Sequence, residues 1–465
     1  MHMRSSLHFS IAAVIVFFTC VPALAQEFHP YPEVTHEVWA GPETVFTKRV
    51  RGEKGKLIHE YRSIDGKTGE LRDLREEGPF GAAEALPYYR QELNWNGKTY
   101  RLGHFTRKEG KEKFIDILLT GMNGEDLTNV APVQPIASIP GEWYGAGRTY
   151  VDHRISPDGS KLLVYVYGIF AATEERSWAC VVQDKEGDGW TSVQPHPKEV
   201  RPAKDHIIDD QGVVYVLTDK ELFRLEEDKI EQFKIEVPTE GGLWAGSLHL
   251  EGSTPQIFGF IGAKYFKEPK FVFMEFDPAA RSFTEPKFSD FPYLHKFEPK
   301  EIQLVRVRDY FWLTVSDRDV VESSMSMSSW SSTKDMYVCR IDLDGSLEWA
   351  LLVPRSFNSK IIDQPDAVLH PKDDRLILLF AENDRELKAR KEGKVKYGYR
   401  GDPQATPERE IVQMAIFPDQ RIEFDRFEID GARCKWGGIQ RIGGNTFFCG
   451  RASKDDQSGY MYWDY

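Results

Sequence analysis

The sequence predicts an all-β fold, a β-propeller of seven four-stranded blades closed by pairing of N- and C-terminal strands. Three observations carry that prediction. A strand–turn–strand unit recurs seven times along the chain. Six of these units are followed by a second hairpin, whereas the seventh has only one further strand. No stretch shows the apolar spacing of a long helix.

The first hairpins are Glu92–Phe105, Asp152–Gly168, Asp205–Thr218, Gly246–Gly262, Ile302–Ser316, Asp366–Asn383 and Gly438–Ser453. The second hairpins are Lys113–Pro132, Arg176–Pro195, Glu221–Pro238, Lys270–Ser289, Asp335–Pro354 and Glu410–Asp430. Gly, Asp, Asn and Pro mark the turns, the residues that supply left-handed backbone or local side-chain hydrogen bonds. The last unit ends with Gly459–Tyr465, one strand short. A closed ring would take its missing strand from the N-terminal region, where Lys56–Ser63 and Glu70–Arg75 read as spare strands. The expected organisation is a leader over 1–25 and one propeller over 26–465. Its blades are expected near 84–135, 145–198, 201–238, 244–290, 300–355, 363–430 and 436–465, with a closing strand from 40–75.

The first 25 residues read as an export signal. Arg4 precedes the apolar run Ile11–Phe18, and Ala23-Leu24-Ala25 supplies a small-residue cleavage pattern, so the mature chain is expected to start at Gln26. Cys20 falls in the removed segment. The expected location is the periplasm or the extracellular space, with no membrane span. The 465 residues carry a formal net charge of −13, which disfavours a nucleic-acid partner. Export permits disulfides: Cys434 and Cys449 are close enough in sequence to pair, while Cys180 and Cys339 occupy equivalent places in distant repeats. No C-x-x-C occurs, and neither a metal nor a cofactor is expected.

Topology sorts the loops. Segments entering the innermost strands, and those joining second to third strands, share one face. The opposite turns are largely acidic, with Asp158, Asp209, Asp210, Asp342, Asp344, Asp373 and Asp374. The first face is richer in bases, above all in the insertion of the sixth unit, Asp384–Arg409, with Lys388, Lys391, Lys394, Lys396 and Arg400. The channel mouth collects Trp143, Tyr144, Arg148, Arg201, Lys204, Trp244, Lys435 and Trp436. Aromatic faces beside cations suit an acidic sugar. The expected ligand-binding residues are therefore Trp143, Trp244, Trp436, Arg201, Lys204, Lys435, Lys394, Lys396 and Arg400. His153 and His206 each follow an aspartate, and with Tyr144 and Arg148 they are the catalytic candidates. The alternative reading is that Asp-His marks a structural blade start.

Short segments carry a resemblance. Ser156–Val166 (SPDGSKLLVYV) resembles TolB-type and WD40-type blades. Ser63–Leu71 and Arg340–Leu352 resemble quinoprotein-type blades of outer-membrane assembly scaffolds. The resemblance implies a fold, not an activity. The expected function is a secreted binding propeller that engages an anionic glycan or a partner protein. The competing expectations are a polysaccharide lyase or glycoside hydrolase at the central channel, and an envelope-assembly scaffold.

Overall fold

The computed structural model describes residues 27–31, 37–41, 43–53, 56–80, 88–122, 135–142, 150–170, 176–185, 189–193, 203–227, 229–238, 242–262, 270–291, 299–322, 329–359, 368–382, 384–394, 408–427, 429–435, 439–443 and 446–464. It is an all-β propeller with eight blades rather than seven. Blade 1 is Glu37–Ala40, Thr44–Glu53, Lys56–Asp65 and Leu71–Phe80, a complete antiparallel sheet where spare closing strands were expected. Its first hairpin is hard to see in the sequence because its inner strand, EVWA, has only four residues and its second, TVFTKRVRGE, runs into charged residues.

The seven expected repeats follow as blades 2 to 8. Their inner strands are Tyr88–Trp95, Tyr150–Ile155, Asp205–Ile208, Leu243–Glu251, Pro299–Val307, Val368–Lys372 and Ile439–Gly443. Closure happens as expected in kind but with an earlier strand. Glu27–Pro30 pairs antiparallel with Gln457–Asp464, placing His29 opposite Tyr460, and becomes the outermost strand of blade 8. This exchange covers an edge that would otherwise present unpaired backbone groups.

The core lies between blades, and that explains the sequence pattern. In Arg375–Glu382, Leu376, Leu378 and Phe380 enter the cluster shared with blade 6, while Ile377, Leu379 and Ala381 enter the one shared with blade 8. A strand alternates its side chains between two faces. With an apolar layer on each face it reads as an unbroken apolar run rather than as an alternation. The outermost strands Lys229–Lys234 and Ile422–Phe427 are largely exposed and mix apolar with charged residues, leaving Ile230, Ile422 and Phe424 in contact with solvent. Similar clusters join blades 2 and 3, 3 and 4, 4 and 5, and 5 and 6. Ala40, Val45 and Ile64 of blade 1 pack with Phe448, Tyr460 and Tyr462 of blade 8. Between blades 1 and 2, the Arg101 guanidinium lies 4.1 Å from the centre of the buried Trp39 ring. Every neighbouring pair is thus in contact around the ring. Among the described residues no helix is long and apolar enough to cross a membrane.

Candidate functional site

Two polar constellations stand out, one among the inner strands and one at the junction of blades 7 and 8. In the first, Asp152 and Asp205 each accept the backbone N–H of the histidine that follows, at 2.8 Å. Each then reaches the next blade. Asp152 Oδ2 lies 3.5 Å from His206 Nε2. Asp205 Oδ2 accepts the Ser247 hydroxyl at 2.9 Å and the Leu248 N–H at 2.8 Å. Arg154 joins the two carboxylates, donating to Asp152 at 2.9 Å and to Asp205 at 3.1 Å. Burial opposes the charge on Asp152, but Arg154 and the neighbouring histidines hold its carboxyl well below the usual range.

The inner-strand histidines are packed rings. His206 is 3% exposed and stacks on Tyr165 of blade 3, with centroids 4.6 Å apart. His249 meets Phe311 of blade 6 edge-on, and His370 meets Phe447 of blade 8 in the same way. Burial pushes His206 down to about 4, with Arg154 acting in the same direction. His370 falls to about 4 by burial, aided by Arg441 and Lys372. Burial also lowers His153, which is half-buried, and His249. At neutral pH these rings are uncharged. Asp205 of blade 4 ties successive blades, accepting from Arg154 of blade 3 and from Ser247 and Leu248 of blade 5.

The second constellation is built on the insertion of blade 7. Asp384–Lys391 forms the helix α1 between the second and third strands of that blade. Its ends follow helix chemistry, with Asp384 first, Lys388, Arg390 and Lys391 in the last turn, and Gly393 just beyond at φ 67°. The Lys394 N–H bonds the Ala389 carbonyl and the Gly393 N–H bonds that of Arg390, which caps the C-terminus. Leu387 is buried in the core between blades 6 and 7. Arg390 Nε donates to both oxygens of Glu382 at 3.1 and 3.0 Å, and Nη2 donates to the Pro354 carbonyl of blade 6 at 3.0 Å. The side chains of this ion pair are 8% and 4% exposed. The helix is therefore fastened to two blades.

α1 walls a cleft of about 480 Å³ lined by Asp384, Leu387, Lys388, Lys391 and Glu392, with Glu410, Arg426 and Arg433 opposite. Glu410 is buried at the start of the third strand of blade 7, Glu408–Ile416. Arg426 Nε pairs with it, and Arg433 Nη2 lies 3.6 Å from its Oε1. Asp384 faces the same two arginines, 4.0 Å from Arg426 and 3.8 Å from Arg433. Burial raises the Glu410 carboxyl, and the adjacent Asp384 raises it further against the pull of the arginines. Four cations and three carboxylates thus meet in one cleft. Arg433 is carried by Arg433–Lys435, a short strand that pairs with Glu408 and Arg409 on one side and with Ala452 and Ser453 on the other.

The expected site residues scatter. His153 and His206 lie in the inner-strand constellation, on neighbouring blades. Trp244 is half-buried at an irregularity in the inner strand of blade 5. Lys204 is exposed, and its backbone N–H donates to the Leu217 carbonyl at 2.6 Å. Lys394 is exposed and lies 2.6 Å from Glu392. Lys435 pairs through its backbone with Glu408. Trp143, Tyr144, Arg148, Arg201, Lys396, Arg400 and Trp436 lie outside the described residues. Glu410, Arg426 and Arg433 are not among the residues expected from the sequence. One signal is available, since Glu410 is an acidic residue directly before the largely apolar segment Ile411–Ile416.

No protein-family model matches the chain. No curated protein matches it either. Solved structures match at low similarity. The β-propeller domain of the Trilobed protease from Pyrococcus furiosus is 12% identical over 87% of this chain and 96% of its own, with a TM-score of 0.33. TolB from Acinetobacter baumannii is 11% identical over 84% of this chain and 80% of its own, at 0.29. Phage phi92 endosialidase is 8% identical over 86% and 73%, at 0.32. The tricorn protease is 8% identical over 90% of this chain, which spans 46% of that protein, at 0.31. The propeller assignment rests on the strand pairing of the chain itself.

Proposed function

We propose that this chain is an exported binding propeller whose α1 cleft takes an anionic ligand, an acidic glycan bearing carboxylates or sulfates. The observation that carries this reading is the fastening of α1. A buried bidentate ion pair and a buried leucine hold a short basic helix over Arg426 and Arg433. Cations placed on a rigid element lose little freedom on binding. Export rests on the leader pattern around Arg4 and Ile11–Phe18.

The raised carboxyl of Glu410 adds a direction. Protonation removes one negative charge from the cleft, so anion affinity rises as the pH falls through the upper carboxylate range. Calorimetric titration with a polyuronate and a sulfated polysaccharide tests this. The expected result is binding that weakens with salt. The Lys388→Ala, Lys391→Ala double variant is expected to weaken it about tenfold, or ~1.4 kcal/mol. Unchanged affinity in that variant sinks the cleft as the site. A point variant suits this test better than deletion of the insertion, because Leu387 and Arg390 belong to the fold.

One observation favours a second, catalytic reading. Glu410 is a carboxyl with raised affinity for its proton beside a second carboxylate, the pairing an acid–base hydrolase uses. New reducing ends released from the same polysaccharides, and lost in Glu410→Gln, would favour it over binding alone.

A further inference from the structure

We infer that Cys434 and Cys449 form a disulfide that staples the closing blade to the strand joining it to blade 7. Cys434 lies on Arg433–Lys435, the strand that carries a cleft arginine, and Cys449 lies on the second strand of blade 8, Thr446–Lys454. Both are wholly buried. Cys434 pairs in register with Ala452, the register shifts between Cys449 and Ala452, and across that irregularity the two sulfurs come within 3.2 Å.

The surroundings are Ile429, Phe447, Ala452 and Met461. Contact with Cys449 and burial both push the Cys434 thiol up. A thiol in such a place is a poor nucleophile once the blade is docked, so the bond forms while the blade is still open. One thiolate attacks a donor disulfide, a small-molecule or protein disulfide, and displaces one donor thiolate. The second protein thiolate then attacks the mixed disulfide and releases the other donor half. Two protein thiols are oxidised, and one donor disulfide is reduced to two thiols.

Cys180 and Cys339 provide internal controls. They are equally buried, but they sit in separate clusters, between blades 3 and 4 and between blades 5 and 6.

The test is differential alkylation of the full chain made in an oxidising cytoplasm. The protein is unfolded in the presence of a first alkylating reagent, then reduced and treated with a second, and its cysteine peptides are read by mass spectrometry. Cys180 and Cys339 are expected to carry the first label, and Cys434 and Cys449 the second. The melting temperature of this protein should fall when it is reduced, with no reductant-dependent shift in the Cys434→Ala, Cys449→Ala variant. The first label on Cys434 and Cys449, or a bond involving Cys180 or Cys339, would overturn the inference.

Discussion

His206 lies between the Asp152 carboxylate and the Tyr165 ring, and burial, aided by Arg154, pushes its value down to about 4 against the pull of Asp152. In the unfolded chain it takes a proton nearer pH 6.5. Between those values the unfolded state binds more protons than the folded one, so stability rises with pH across that window. The contribution is complete above pH 6.5 and is lost as the pH falls toward about 4, a loss of order 3 kcal/mol. His370 acts in the same direction. Thermal melts at neutral pH and near pH 5 check this. His206→Gln should be less stable at neutral pH but should lose less on acidification than the wild type. Equal acid sensitivity in both proteins would remove His206 from the explanation.

At the scale of the element, α1 depends on the pair Arg390–Glu382. Removing one partner leaves the other charge buried and alone, which costs about 3–5 kcal/mol. Glu382→Ala should therefore lower the urea midpoint clearly. Replacing both residues with apolar side chains of similar volume should restore much of it, because no orphaned charge remains. An unaffected midpoint in Glu382→Ala would mean that Leu387 and the Arg390–Pro354 hydrogen bond hold α1 without the ion pair. The sequence reads as a loop insertion here, because eight residues are too few to show a helical periodicity, although the end signals are present: an acidic first residue, bases in the last turn, and glycine beyond. The docking of the helix is not signalled. Glu382 lies at the end of an apolar strand and Pro354 in another blade, and neither proximity is written locally.

The same division holds at the scale of the whole molecule. Each hairpin is a local unit with its own turn chemistry, so the repeats could be read along the chain. The two-sided apolar strands, such as Leu162–Val166, announced burial on both faces. Blade number depends on the weakest unit, and the four-residue inner strand of blade 1 hid a complete sheet. Ring closure by the N-terminus was legible as a missing strand. The choice of Glu27–Pro30 depends on register with Gly459–Tyr462, which only the folded ring shows. The α1 cleft belongs to this scale too, because its residues come from an insertion, two strands of one blade and the strand leading to the next.

Hydrogen–deuterium exchange with and without a bound polyuronate tests the proposed cleft most directly. It reports on backbone positions throughout the ring and needs no substitution. The expected result is protection concentrated in 384–394 and 422–435, the segments that carry α1, Arg426 and Arg433. Protection at the inner strands Tyr150–Ile155 and Asp205–Ile208, with none around α1, would contradict the account and move the site to the central channel.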